Sequence, residues 1–126
     1  MVFGKATQQL LDGFAAMKAA QDYTLSLIKP GASCRDIAAA HDEYMRSRNL
    51  PPELRLYCHG QGYDLVERPL IRHDEPMTIA KDMNIVVHPT YAYGGYLNWL
   101  CDNYIIGGNG PGDRLHQYPE EVIEVG

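Results

Sequence analysis

The segment Lys29-Pro30-Gly31-Ala32-Ser33 separates two helical patterns, and this division decides how the first half of the chain folds. Before it, apolar residues recur at three- and four-residue steps, which predicts one helix from Ala6 to Ile28. Proline cannot continue the hydrogen-bond ladder, so Pro30 ends that helix. After it, Ser33 and Asp36 resemble a capping box and predict a second helix that runs to about Arg48.

The second half of the sequence changes from helical to strand-like patterns. A tight hairpin turn is predicted at Tyr93-Gly94-Gly95-Tyr96 and a glycine-rich loop at 107–113. Strands are predicted for 54–59, 83–88, 97–106, 114–118 and 122–125. Two helices followed by a strand-rich half predict an α+β fold. We expect one domain over residues 1–126, with a helical part at about 5–50 and a strand-rich part at about 53–126.

Composition and charge exclude two classes of partner. The 126 residues carry a net charge of −5 without a cluster of cations, so no nucleic-acid partner is expected. No apolar run approaches the length needed to cross a bilayer, so no membrane partner is expected. Three cysteines without a CxxC spacing predict free thiols, and the N-terminus lacks a secretory pattern. We therefore expect a cytoplasmic protein.

A family resemblance is carried by a set of landmarks in a fixed order. The landmarks are Lys29–Ser33, His59-Gly60-Gln61-Gly62, Glu67-Arg68-Pro69, Asp82–Pro89, Cys101–Ile106 and Tyr118–Ile123. With these landmarks the chain resembles the pita-bread family of creatinase, prolidase (Xaa-Pro dipeptidase), aminopeptidase P and methionine aminopeptidase. The resemblance covers the C-terminal half of that catalytic domain. It implies two helices followed by a curved antiparallel sheet.

The resemblance also implies a site for two metal ions, built from two Asp, one His and two Glu, and this sequence departs from it. His59 matches the metal-binding histidine, whereas His88 and Cys101 stand where the two glutamates would be. Val66 stands in place of a catalytic histidine, next to the retained Glu67. The two aspartates would lie on a hairpin before the first helix, which is about where this chain begins. The resemblance therefore implies that the ordinary dinuclear chemistry is lost.

Three hypotheses follow for the altered site. The first is a peptidase-like module that has lost its metals and binds a small molecule or peptide in a sheet pocket. The second is a fragment of an Xaa-Pro dipeptidase- or creatinase-like hydrolase or lyase that needs its missing half. The third is a repurposed enzyme with one zinc or other transition-metal ion on His59, His88 and Cys101. The expected pocket consists of His59, Glu67, His88, Trp99, Cys101 and Asp102.

Two residues are candidates for catalytic roles, each with a purely structural alternative. Glu67 could act as a general base or as a buried partner of Arg68 or His59. Cys101 could act as a nucleophile beside a histidine, or it could be an inert thiol. Among the other histidines, His41 is expected in the core, His73 in solvent, and His116 on a late strand without a partner.

The partner expectation follows from the half-domain. One half of a pseudo-symmetric fold would leave a sheet edge and apolar surface exposed, and an exposed edge pairs readily with another chain. We therefore expect a homodimer, or association with a chain that supplies the other half.

Overall fold

Two capped helices form the first half of the molecule. The structure is a computed structural model that describes residues 1–126. Helix α1 spans Gln8–Leu27 and helix α2 spans Cys34–Ser47. The Thr7 hydroxyl accepts from the N–H of Leu10, and the Ser33 hydroxyl accepts from the N–H of Asp36, so each helix begins at a side-chain cap. Both predicted helices are confirmed. Neither is long and apolar enough to cross a membrane.

Short strands form the rest of the molecule and confirm the α+β fold. Five of them make one antiparallel sheet in the order β3-β2-β4-β7-β8, while β5 and β6 form a hairpin and β1 pairs with β9 in parallel. The strands are β1 Val2–Phe3, β2 Cys58–Gly60, β3 Glu67–Leu70, β4 Asn84–Val87, β5 Thr90–Tyr93, β6 Tyr96–Trp99, β7 Asp102–Ile106, β8 Pro111–Arg114 and β9 Glu124–Val125.

The hairpin turn lies where the sequence predicts it. Gly94 and Gly95 both have positive φ, 58° and 85°, and Tyr93 pairs with Tyr96 across the turn. Two consecutive positive φ angles define the two-residue turn whose twist matches the flanking strands, and glycine adopts them without a Cβ clash.

Several predicted strand boundaries are wrong. The predicted strand 97–106 is broken at Leu100 and Cys101, because the hairpin packs on α1 while β7 joins the sheet beside β4. Strand β8 occupies part of the predicted loop 107–113, and only Arg114 of the predicted strand 114–118 belongs to it. Pro111 is tolerated there because β8 lies at the sheet edge. Strand β3 was not predicted.

The sheet has an apolar face and a polar face. Cys58 pairs with Val87, and the core cluster joins both residues to α2. On the other face, His59 pairs with Val86, which pairs with Asn103. Because side chains alternate across a strand, His59 and Asn103 share this face, and His88 lies against His59 there. We call the surface of His59, Val86, His88 and Asn103 the polar face. The core cluster on the apolar side contains Ile28, Cys34, Ile37, Ala38, Cys58, Ile85, Val87, Tyr104 and Ile106.

Candidate functional site

Two buried histidines meet on the polar face. His59 lies on β2 and His88 directly follows β4, and their Nε2 atoms are 3.1 Å apart. Nδ1 of His59 lies 2.8 Å from the carbonyl oxygen of Gly60, which can only accept, so Nδ1 carries the proton. In the neutral ring Nε2 of His59 is then an acceptor, and Nε2–H of His88 donates to it. The hydrogen bond engages the Nε2 atom of each histidine.

The surroundings of His88 favour its neutral form. Burial lowers the pKa of His88 from its ordinary value of 6.5, and the neighbouring His59 and Arg55 act in the same direction. At neutral pH the His88 ring is therefore uncharged. This agrees with its role as the hydrogen-bond donor to Nε2 of His59.

Trp99 forms a wall beside the histidine pair. Its ring centroid lies 5.9 Å from that of His88. The guanidinium of Arg55 lies over the Trp99 ring, 4.7 Å from its centroid, in a cation–π arrangement. Trp99 is the last residue of β6, so the hairpin positions this wall.

Amide side chains complete the polar face. Nδ2 of Asn103 donates to Oε1 of Gln61 at 2.8 Å and to Oδ1 of Asn84 at 3.1 Å. This network links β7, β4 and the turn after β2. The polar face thus offers imidazoles and amides as hydrogen-bonding groups.

A cleft of about 870 Å³ lies on the other side of Trp99. Three of the predicted pocket residues line it together: Trp99, Cys101 and Asp102. Helix α1 forms the opposite wall with Phe14 and Gln21, and residues 114–120 close one side. We call this the Asp102 cleft. Its existence follows from the break at Leu100 and Cys101, where the hairpin and β7 diverge.

Asp102 is held by two side chains at the base of the cleft. The residue is 4% exposed, and its Oδ2 accepts from Nη1 of Arg114 at 3.1 Å. Its Oδ1 lies 2.6 Å from Nδ1 of His116 and also accepts from the backbone N–H of Asn103. A carboxylate that receives Nδ1–H leaves Nε2 of the imidazole free, as in other carboxylate–histidine pairs.

The expectation that His116 lacks a partner is therefore wrong. The error arises because β8 was predicted as a loop. The pairing of β7 with β8 places residues 114–116 beside Asp102. No local sequence signal indicates this pairing.

The structure brings His59 and His88 together but does not add Cys101 to them. No group of three or more His, Cys, Asp or Glu side chains is placed to hold a metal ion. Cys101 is exposed on the cleft. Partial desolvation of the thiol by its surroundings raises its pKa, and the neighbouring Asp102 raises it further. Both effects disfavour the thiolate that a nucleophile requires.

Of the two alternatives for Glu67, the pairing with Arg68 or His59 is absent from the structure. Oε1 of Glu67 accepts from the backbone N–H of Asp64 at 2.6 Å and thereby closes the turn before β3. Arg68 pairs with Glu75 instead.

The other two histidines lie where the sequence predicts them. His41 is fully buried, with Nδ1 2.8 Å from the Thr24 hydroxyl. His73 is exposed, with Nε2 2.7 Å from Oδ2 of Asp42.

The sequence matches the family model of metallopeptidase family M24 over residues 1–116. The chain belongs to this family. No curated protein matches the sequence. The resemblance to the pita-bread enzymes is thus confirmed at the level of the family.

Solved structures of M24 proteins share the fold at low sequence identity. X-Pro aminopeptidase from Thermotoga maritima matches with a TM-score of 0.86 and 17% identity, over 99% of this chain and 36% of that chain. Xaa-Pro dipeptidase from Bacillus anthracis matches with a TM-score of 0.84 and 19% identity, over 99% of this chain and 36% of that chain. Methionine aminopeptidase from Thermotoga maritima matches with a TM-score of 0.72 and 18% identity, over 86% of this chain and 53% of that chain. This M24 chain spans about a third of the first two proteins and has the fold of that part of the pita-bread domain.

The residues of this M24 chain do not fit a centre of two metal ions. Two neighbouring divalent ions need several anionic oxygens. The polar face offers imidazoles and amides, and its two histidines are hydrogen-bonded to each other. The buried carboxylate of β7, Asp102, is held by Arg114 and His116. We therefore derive no hydrolytic step through such a centre.

Proposed function

We propose that this chain is a noncatalytic binding module of the M24 family. It holds a small molecule or peptide at the polar face and the Asp102 cleft, and it does not hydrolyse that ligand. The observation that carries the proposal is the direct hydrogen bond between Nε2 of His59 and Nε2 of His88. According to the family resemblance, this bond joins the histidine that matches a metal ligand to the residue that stands where a metal-binding glutamate would be.

The chemistry of the surface supports binding. The His88 ring and the amides of the polar face donate and accept hydrogen bonds without the desolvation cost of a charge. Trp99 adds a large flat apolar surface, 48% exposed, between the polar face and the cleft. Concave sites with apolar walls and a few fixed polar groups are typical of ligand pockets.

A second candidate is a mononuclear metal site, and one distance favours it. Two imidazole nitrogens on one tetrahedral zinc ion, with bonds of about 2.0–2.1 Å, lie about 3.3 Å apart. The separation of 3.1 Å between the two Nε2 atoms is close to that value. A zinc or other transition-metal ion would displace the proton between them and take its remaining ligands from water, because Cys101 is not placed beside the two histidines.

Metal content and hydrolysis, measured together, test the proposal. Purified protein is analysed by elemental mass spectrometry and then incubated with Xaa-Pro dipeptides and methionyl peptides, with and without added manganese, cobalt or zinc. The binding module predicts far less than one bound ion per chain and no metal-dependent hydrolysis.

Matched histidine variants separate the alternatives. One ion per chain that disappears in His88→Ala and persists in His73→Ala would establish the mononuclear site and contradict the metal-free module. His73 is a suitable control because it is exposed and lies away from the polar face. Metal-dependent cleavage of either substrate would show that the module is catalytic and overturn the proposal.

A further inference from the structure

The Asp102 cleft contains a buried hydrogen-bond acceptor without a partner. Gln21 is fully buried on α1, and its Nε2 donates to the carbonyl oxygen of Val87 at 3.1 Å. That bond fixes the orientation of the amide and engages its nitrogen. The amide oxygen, Oε1, has no hydrogen-bond partner. Because a buried unpaired acceptor is costly, Gln21 marks a place where a donor is missing.

A second acceptor is available at the mouth of the same cleft. Asp102 accepts from Nδ1–H of His116, so Nε2 is the ring nitrogen that faces away from the carboxylate and carries the lone pair whenever the ring is neutral. No protein group occupies Nε2, and the side chain is 57% exposed. The carboxylate of Asp102 fixes the tautomer and the orientation of the His116 ring, so Nε2 is held in place as an acceptor before a ligand binds.

The charged groups of the cleft are already engaged with one another. Arg114 donates to Asp102 and to the carbonyl oxygen of Tyr118, and it lies 3.7 Å from Glu120. Lys18 also lies 3.4 Å from Glu120. A ligand carboxylate would meet Asp102 and Glu120 without a free cation to pair with. A ligand that donates hydrogen bonds would meet Nε2 of His116, with the unpaired Oε1 of Gln21 buried in the cleft wall behind it.

The remaining walls are apolar and favour a hydrocarbon body. Phe14 lines one wall, and Trp99 and Leu100 line another. An ammonium group has three donors and no acceptor, so it matches a site whose free groups are acceptors better than a hydroxyl does.

We propose that the Asp102 cleft binds a small apolar primary amine. The ammonium group donates to Nε2 of His116, with Oε1 of Gln21 as the second acceptor, and the hydrocarbon part packs between Phe14 and Trp99. This inference rests on the proposed binding function and names the class of ligand that the cleft takes.

The experiment uses Trp99, the single tryptophan of the chain, as the reporter. Its fluorescence is titrated with 2-phenylethylamine, 2-phenylethanol and phenylacetate at constant ionic strength and neutral pH. The amine is expected to give a saturable change with a dissociation constant on the order of 1 mM, as for a small fragment. The alcohol should bind more weakly, and phenylacetate should give no saturable change.

Reaction of Cys101 gives a second measure of occupancy. Cys101 is exposed on the cleft, whereas Cys34 and Cys58 are buried, so iodoacetamide should modify Cys101 first. Bound amine should slow this reaction in proportion to the fluorescence change, and phenylacetate should not.

Variants test the two acceptors. His116→Ala should weaken amine binding about ten-fold, the usual effect of losing one hydrogen bond to a charged group. His73→Ala is the matched control, because His73 is also exposed, at 65%, and bonded to an aspartate, and it should bind normally. Gln21→Leu tests the second acceptor. It should weaken binding of the amine more strongly than binding of the alcohol.

The outcomes distinguish this inference from the proposed function. Saturable binding of the alcohol or phenylacetate in preference to the amine would overturn the amine assignment and leave the binding module intact. Amine binding that His116→Ala does not weaken, or the absence of saturable amine binding, would also overturn the amine assignment. Metal-dependent peptide hydrolysis would overturn the proposed function itself.

Discussion

At the scale of single residues, Glu75 shows how one carboxylate holds several chain segments together. Its carboxylate accepts from Nε of Arg68 at 2.9 Å and from the backbone N–H groups of Leu70 and Met77 at 3.2 and 3.1 Å. Glu75 thus connects β3, whose sequence does not predict a strand, to the segment that follows it. The hydrogen bond from Arg68 is the main reason why the pKa of Glu75 is lowered to about 2.

The lowered pKa of Glu75 gives a pH-dependent prediction. A carboxyl group with a lower pKa in the folded state stabilises the protein above its unfolded pKa, and this stabilisation is lost as pH falls through the folded pKa. Glu75→Gln should therefore lower the free energy of unfolding at pH 7. The difference from wild type should shrink as pH falls from about 4.5 toward about 2. Urea denaturation across this pH range measures it.

A matched surface pair controls for loss of charge in the Glu75 experiment. Glu43 pairs with Arg46 on the exposed side of α2. Because exposed ion pairs contribute little, Glu43→Gln should change stability only slightly at every pH. If Glu75→Gln were less stable than wild type by the same amount at pH 7 and near pH 2, the proposed role of its charge would be wrong.

At the scale of elements, the contact of α1 with the hairpin depends on one glycine. Gly13 is buried on α1, and a Cβ at this position would clash with the amide of Asn98 on β6 and lie 3.2 Å from the Tyr91 ring on β5. Asn98 is itself buried, so it has little room to move away. This close approach positions β6 and therefore Trp99.

Gly13→Ala should destabilise the protein even though alanine favours helices. The helical preference contributes about 1 kcal/mol in favour of alanine, but overpacking at a buried contact costs about 1–3 kcal/mol. We expect a net loss of stability in thermal or urea unfolding, together with a change in Trp99 fluorescence. Asp12→Ala, on the exposed side of the same helix, should change stability by less than about 0.5 kcal/mol. A stabilised Gly13→Ala variant would show that the hairpin adjusts to the new methyl group.

Structural features that depend on neighbouring residues can be predicted from the sequence, whereas features that depend on contacts between distant segments cannot. The two helices and the hairpin turn are predictable because their signals are local: apolar residues recur at helical spacing, Ser33 caps the second helix, Pro30 terminates the first, and Gly94-Gly95 forms the turn. The break at Leu100 and Cys101 is not predictable locally, since it depends on α1 binding the hairpin while β4 binds β7.

The candidate site follows the same rule. The family motif identifies His59 and His88, whereas His116 becomes a partner of Asp102 only through pairing at the sheet edge. The sequence does not indicate a role for Gln21, because its amide oxygen becomes buried and unpaired only when α1 packs on β4.

At the scale of the whole molecule, one apolar surface is left uncovered on the hairpin. Leu97 and Trp99 lie on the same face of β6, since they are two residues apart, and both are exposed. The opposite face of this strand packs on α1 through Asn98. Exposed apolar surface of this kind is typical of protein interfaces.

The outer face of the hairpin leads us to expect a homodimer, with Leu97 at its centre. Sedimentation velocity over a range of protein concentrations should show a monomer–dimer equilibrium. Leu97→Lys should shift it toward the monomer, because a buried unpaired ammonium is costly in an interface. Leu54→Lys is the control: Leu54 is also exposed, at 88%, but lies outside the hairpin, so its substitution should leave the equilibrium unchanged. A chain that stays monomeric at all concentrations, or a dimer that Leu97→Lys does not weaken, would contradict this assignment and would favour association with a different chain.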